Sequence, residues 1–389
     1  MNNKLSGKRI TSIDAFRGIT ILVMVFVNEL AGIRNIPAWM KHMPANADAM
    51  TFVDVVFPAF LFIAGMSIPF ALGKRLMNNP DRKKLNEHIL WRVAGLLCFG
   101  FFMVNGESSG RHDMLFSIYL WSLLFYFFAF MVWQVYRTQN KKRVFILRAA
   151  GLAGLLFLAL IFRGGPDGHQ FMTPKWWGIL GLIGWAYLFS CIFYQLSSGK
   201  LIPLLFFLLL CTIGFALTRY YDWSAFHSRN ATHVSVMLCG ITVSILLFDE
   251  KKIKTIRLRV LQVLGFAAIL FIAGYFLRPA YAISKVYATP TWGFYSAGIC
   301  CVLYLIFYWV IDLKNMVSWT KFFRPAAENP LLTYLIPDVI FMLGMLFHFR
   351  LFPAKWAFGL PGMLWSAAFA ILVMFIAKGL NKLHIRLQL

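Results

Sequence analysis

Charge is what this sequence has least of, and negative charge above all. Only 14% of its 389 residues are charged, and 15 acids stand against 38 bases. A soluble domain is about 25% charged and about 45–50% apolar, so a chain that is 60% hydrophobic is not an ordinary soluble protein. Extramembrane cysteine is also lacking: Cys98, Cys191, Cys211, Cys239, Cys300 and Cys301 all fall inside apolar runs. That excludes a disulfide framework and a zinc site, and no metal is expected. There is no Pro-, Gly- or Ser-rich linker, low-complexity tract or internal repeat, so the chain reads as a single domain over 1–389. No A-x-A-like cleavage site follows the first apolar run, which Asp14 and Arg17 interrupt. The run therefore reads as an uncleaved helix rather than a signal peptide.

What the chain does have is apolar runs close to the ~20 residues that span hydrocarbon. They predict helices over 14–33, 51–72, 88–105, 114–136, 143–162, 176–196, 200–218, 231–248, 256–277, 292–312, 330–349 and 360–380. The fold class is all-α, a polytopic membrane protein. Because the sixth and seventh runs are joined only by SSGK, the expected count is eleven or twelve transmembrane helices. With both termini cytoplasmic, most of the 38 basic residues fall on the inner side, as the positive-inside bias requires. The net charge of +23 is thus a topology signal, and lipid rather than nucleic acid is the expected partner.

The scarcity of acids makes the stretch from Arg9 to Leu72 stand out. Its first span begins with Asp14 and Arg17 and closes with Asn28 and Glu29; its link carries His42; its second span carries Asp54 four residues before Pro58. Ionisable groups within a bilayer are costly, and their default reading is functional. Two such spans joined by a histidine-bearing link point to a reaction centre at one membrane face.

These residues also carry a resemblance. S-I-D-A-F-R-G, then V-F-V-N, K-H and D-V-V-F-P-A-F-L-F-I-A-G are similar to the heparan-α-glucosaminide N-acetyltransferase family, and I-S-K-V-Y-A-T-P-T-W at 283–292 and E-N-P-L-L-T-Y at 328–334 fit as well. The resemblance implies a transmembrane acyltransferase that moves acetyl from cytosolic acetyl-CoA, its co-substrate, to a glucosamine-type amine on the opposite side. By motif position Asn28 and His42 match the family's catalytic pair, while Arg9 and Arg17, with Asp14 between them, match its coenzyme end. Lys285, Trp292 and Asn329 in the later segments, together with Asp338, are expected to line the acceptor site. The family's lysosomal member has a lumenal domain ahead of its first helix, where this sequence has about a dozen residues. The expectation is therefore a bacterial relative in the inner membrane, and the dimeric lysosomal relative implies a homodimer. The spacing from His42 to the D-x-V-F-P motif is also two residues longer here, and a tryptophan usual in that link is lacking.

The residues have a chemical logic of their own. Acetyl transfer from a thioester needs a base for the acceptor and a donor for the developing oxyanion. Histidine supplies the base near neutral pH, or carries the acetyl itself as a transient acetyl-imidazole. Asn28 supplies an amide that either orients the ring or stabilises the oxyanion, and Asp54 is placed to hold the imidazolium as the acid of a triad does. Arg17 and Asn28, eleven residues apart, stand ~16 Å apart along a helix, so one helix serves both membrane faces. Other readings stay open. Asp14 and Arg17 also fit a simple i,i+3 pair; Asp54 also fits a group that satisfies backbone freed by Pro58; Asp338, beside Pro337, also fits a packed carboxyl. Acetylation of a hydroxyl on a surface glycan, secondary transport through twelve helices, and non-catalytic glycan or lipid binding are the alternative functions.

Overall fold

In hydrocarbon a chain segment must satisfy its own backbone polar groups, which the α-helix does within a single run. The computed structural model describes residues 10–387 apart from 79–80, 108–113, 166, 222–224, 250–254, 350 and 354–355. It has a helix at each of the twelve expected spans: α1 (Thr11–Leu30), α2 (Phe52–Asn78), α3 (Arg82–Glu107), α4 (Ile118–Trp133), α5 (Lys141–Ile161), α6 (Gly178–Leu196), α7 (Leu201–Tyr220), α8 (Ala225–Phe248), α9 (Ile256–Leu277) and α10 (Pro290–Phe307), then, after the short α11 (Arg324–Glu328), α12 (Pro330–Leu346) and α13 (Gly359–Lys382). Among the described residues nine helices are long and apolar enough to cross a membrane, α4 and α12 are shorter apolar helices, and no strand is present. The protein is an all-α polytopic membrane protein. The SSGK link does separate two helices. Ser198 and Gly199 take left-handed backbone (φ 51° and 70°), which reverses the chain between α6 and α7.

Burial sorts the helices. In α8, 83% of the spanning window is buried, against 17% in α5 and 28% in α7 and α9. Thus α8 is the centre of the bundle, while α5, α7 and α9 present leucine, isoleucine and phenylalanine to lipid. Without a hydrophobic driving force between helices, close backbone approach through small residues holds such a bundle together. The α2–α8 crossing is built this way: a Cβ on Gly65 would strike the Met237 carbonyl, and one on Gly240 would strike that of Phe62. Ser244 Oγ adds a hydrogen bond to the Met66 carbonyl at 2.8 Å.

This crossing fixes α2 against the bundle centre, and with it the position of Asp54 in the first turn of α2. The start of α1, the end of α2 and the chain's last described residues share one face, here called the basic face. Arg17 reaches Ala327 there, and the Leu387 N–H donates to Asn329. The 31–51 and 278–289 links lie at the opposite face and are tied together. Asp48 accepts from the Ile283 N–H at 2.8 Å and from Arg278 Nε at 3.1 Å. The Ile283 bond foremost, opposed by burial and helped by Arg278, holds the Asp48 carboxyl below its ordinary value.

Candidate active site

The local fold around Asp54 follows from three residues. Thr51-x-x-Asp54 is a capping pattern, and its carboxylate closes back onto the helix start: Asp54 Oδ2 accepts from the Thr51 N–H at 3.1 Å. Pro58 has no N–H to offer the carbonyl four residues earlier, which belongs to Asp54. That carbonyl is instead satisfied by Trp292 Nε1, from α10, at 3.1 Å. The backbone vacancy left by the proline is filled by an indole, so the carboxylate is not needed for it. Asp54 Oδ2 also accepts from the Met43 N–H at 3.3 Å, which pins the 31–51 link over the helix start.

Asp54 Oδ1 is left for histidine. His42 Nδ1 lies 2.7 Å from it, with the carboxylate 1% exposed and the imidazole 42% exposed. A buried acid thus holds an open ring. With Nδ1 donating to the carboxylate, Nε2 carries the lone pair, the tautomer a general base needs. Lys285 Nζ, from the 278–289 link, stands 3.1 Å from both ring nitrogens, over the imidazole rather than in line with either lone pair. Burial pushes the Lys285 ammonium down to about 8, against the opposing pull of the Asp54 charge. An amine close to neutrality near pH 8 therefore already sits against the imidazole.

The structure brings together His42, Asp54, Lys285 and Trp292, which lie up to 250 residues apart in sequence. Asn28 ends α1 at the same face, exposed, next to Val27, which packs on Val53 and Val56 beside Asp54; it is not among the groups bonded to His42. Asp338 lies in α12 and accepts from Tyr126 of α4. Asn329, expected at the acceptor site, is at the basic face instead, where its amide donates to Asn381 and to the Ile385 carbonyl at 3.1 Å each. Asp14 and Arg17 form the i,i+3 pair at 3.2 Å, and the same guanidinium reaches Ser67 Oγ at 2.6 Å and the Ala327 carbonyl at 3.3 Å. Arg17 therefore braces α1 against α2 and α11 while marking the basic end of the same helix. Arg9 lies outside the described residues. Among the described residues no cluster of His, Cys, Asp and Glu is arranged to hold a metal.

Some members of the site were not singled out from sequence. Thr51 was legible as the first residue of a T-x-x-D cap, but the Met43 N–H and the Asp48–Ile283 tie are backbone contacts without a sequence signature. His233, by contrast, is a histidine of the core: 3% exposed, edge-on to Phe57 at 5.2 Å and to Trp292 at 6.2 Å.

Comparison with known proteins adds two findings. A family described as "Domain of unknown function (DUF5009)" matches residues 9–209. The chain is 39% identical over 98 residues to the heparan-alpha-glucosaminide N-acetyltransferase of Homo sapiens, and 38% identical over 101 residues to that of Mus musculus. These segments cover 25% and 26% of this chain and 14% of each relative, so the chain matches only a small part of either protein's length. With the family match extending over more than half of its residues, and with relatives of the kind its motifs resemble, the chain belongs to the DUF5009 family, which falls within the heparan-alpha-glucosaminide N-acetyltransferase family.

Proposed function

We propose that this protein is a membrane acetyltransferase that moves acetyl from acetyl-CoA, bound at the basic face, to a glucosamine-type amine at the opposite face. The observation that carries the reading is the Asp54–His42 couple, with an amine held against its imidazole. The names of both relatives support the amino-sugar acceptor, and the basic loops support a cytoplasmic basic face.

In this reading the acceptor ammonium displaces Lys285 Nζ from the His42 ring and loses a proton to Nε2. The neutral amine attacks the thioester carbonyl carbon, a C–N bond forms, and the C–S bond breaks. His42 passes that proton to the departing thiolate, and the proton the attacking nitrogen sheds as the amide forms goes to the freed Nε2 and on to water. Asp54 stabilises the imidazolium while the proton is on the ring and keeps Nε2 as the acceptor before it arrives. Asn28, at the end of α1, supplies an amide N–H for the oxyanion of the tetrahedral species. Lys285 holds the acceptor's place and leaves it as substrate enters. Arg17, with Asp14 setting its rotamer, contributes a cation for the coenzyme phosphates at the other end of α1.

The test is to incubate membranes holding the full chain with labelled acetyl-CoA and glucosamine. Labelled N-acetylglucosamine is expected, and it should be absent with His42→Ala. Uptake of glucosamine into vesicles without acetylation would overturn the reading in favour of a carrier; label on a hydroxyl would overturn the amine as acceptor.

A further inference from the structure

A second built site lies away from the catalytic couple, at the basic face. The end of α2, the start of α3, the end of α4 and the start of α5 enclose a cavity of about 630 Å³. Three cations line it, Arg75, Lys141 and Arg148, and no aspartate or glutamate does. Two of its lining side chains hold buried donors without acceptors: Trp133 Nε1, in a residue only 5% exposed, and Arg148 Nε. A buried donor left unsatisfied is costly, and each one needs an explanation such as an anion or water that takes the bond. Several cations around a cavity without a counter-charge ask for the same thing.

The surroundings say what kind of anion. The outer wall is α5, the least buried spanning helix, and Phe145 on the rim is 73% exposed. Trp91, on the α3 side, is also exposed and lies under the Arg148 guanidinium at 5.8 Å. A ligand here meets cations at the membrane face and an apolar wall running into the hydrocarbon. The residues matched to the coenzyme end are elsewhere, since Arg17 bonds to Asp14, Ser67 and Ala327, none of which lines this cavity.

We infer that this cavity binds the phosphate of an anionic phospholipid from the leaflet at the basic face, with Arg75, Lys141 and Arg148 on the headgroup and the acyl chains lying along α5. Basic pockets between transmembrane helices on the cytoplasmic side take acidic lipid headgroups by this chemistry. A soluble phosphate compound has the same headgroup chemistry without the chains, so the test must tell the two apart.

The full chain would be purified and placed in nanodiscs of phosphatidylcholine containing one tenth phosphatidylglycerol, and the lipid retained would be measured by native mass spectrometry after mild delipidation. Enrichment of phosphatidylglycerol over its bulk fraction is expected, unchanged by millimolar coenzyme A or inorganic phosphate. Arg75→Gln with Arg148→Gln should lower that preference by about fivefold for each cation removed. Should the double variant fail to fold, Lys141→Gln, at an exposed position, is read instead and should lower it by about fivefold. No enrichment in the wild type, no change in the folded variant, or displacement of the lipid by coenzyme A or phosphate would each overturn the inference.

Discussion

Replacing Asp54 by Asn is the most informative single change at this site. It keeps the side chain's shape but decides which group faces histidine. The Oδ2 position receives two backbone donors, Thr51 N–H at 3.1 Å and Met43 N–H at 3.3 Å, so the carbonyl oxygen of the new amide must take it. The amide nitrogen is then forced to the Oδ1 position, 2.7 Å from His42 Nδ1. An N–H there requires a lone pair on Nδ1, which moves the ring proton to Nε2. The base nitrogen becomes a donor and cannot take a proton. The variant also loses the charge that holds the imidazolium, an attraction of about 4 kcal/mol for unit charges 4 Å apart near a protein surface, less here because the ring is 42% exposed. Loss of a general base in this way costs about 10²–10⁴-fold in turnover. Because both backbone bonds survive, folding and coenzyme affinity should be close to wild type. The assay is acetyl transfer from labelled acetyl-CoA at saturating coenzyme and acceptor, alongside isothermal titration of coenzyme A. Turnover within about threefold of wild type would refute the argument that Asp54 sets the tautomer of His42.

His42→Ala should remove most transfer while coenzyme A binding survives, and His42→Ala with Asp54→Asn should be little worse than His42→Ala alone, since members of one catalytic unit are not additive; turnover measured for the three variants checks this, and multiplying losses would count against a shared unit. Below pH about 8 Lys285 is an ammonium held against the His42 ring, and above it a neutral amine that yields its place more readily; transfer should therefore rise with pH through about 8, and Lys285→Met should flatten that rise in the pH profile. Gly240→Ala places a methyl against the Phe62 carbonyl at the α2–α8 crossing and should cost about 1–3 kcal/mol, seen as a lower unfolding midpoint with a thiol-reactive dye, whereas Gly379→Ala, which meets nothing within 4 Å, should leave the midpoint unchanged. A cysteine in place of the exposed Asn46 should react with an impermeant maleimide added to intact cells, and labelling only after the membrane is opened would reverse the assigned sidedness.

Much of this molecule was legible from sequence because the bilayer is so selective a solvent. Runs of apolar residues near membrane thickness have one available conformation, and each of the twelve expected spans is a helix. The first and second spans with their link stood out because charge there is expensive, and the structure places His42 Nδ1 against Asp54. What sequence could not decide was which remote groups join them. Asp54 read equally well as a remedy for the backbone freed by Pro58. Only packing of α10 against α2, which brings the Trp292 indole to that carbonyl, releases the carboxylate for histidine. Lys285 and Asn329 were both expected with the acceptor, yet one meets His42 while the other bonds Asn381 at the opposite face. Local pattern determines where a helix starts and which of its residues share a face, because those are set within a few residues by backbone geometry. Which helix ends converge is set by the crossings of glycine on carbonyl deep in the bundle, and those depend on surfaces brought together from across the whole chain.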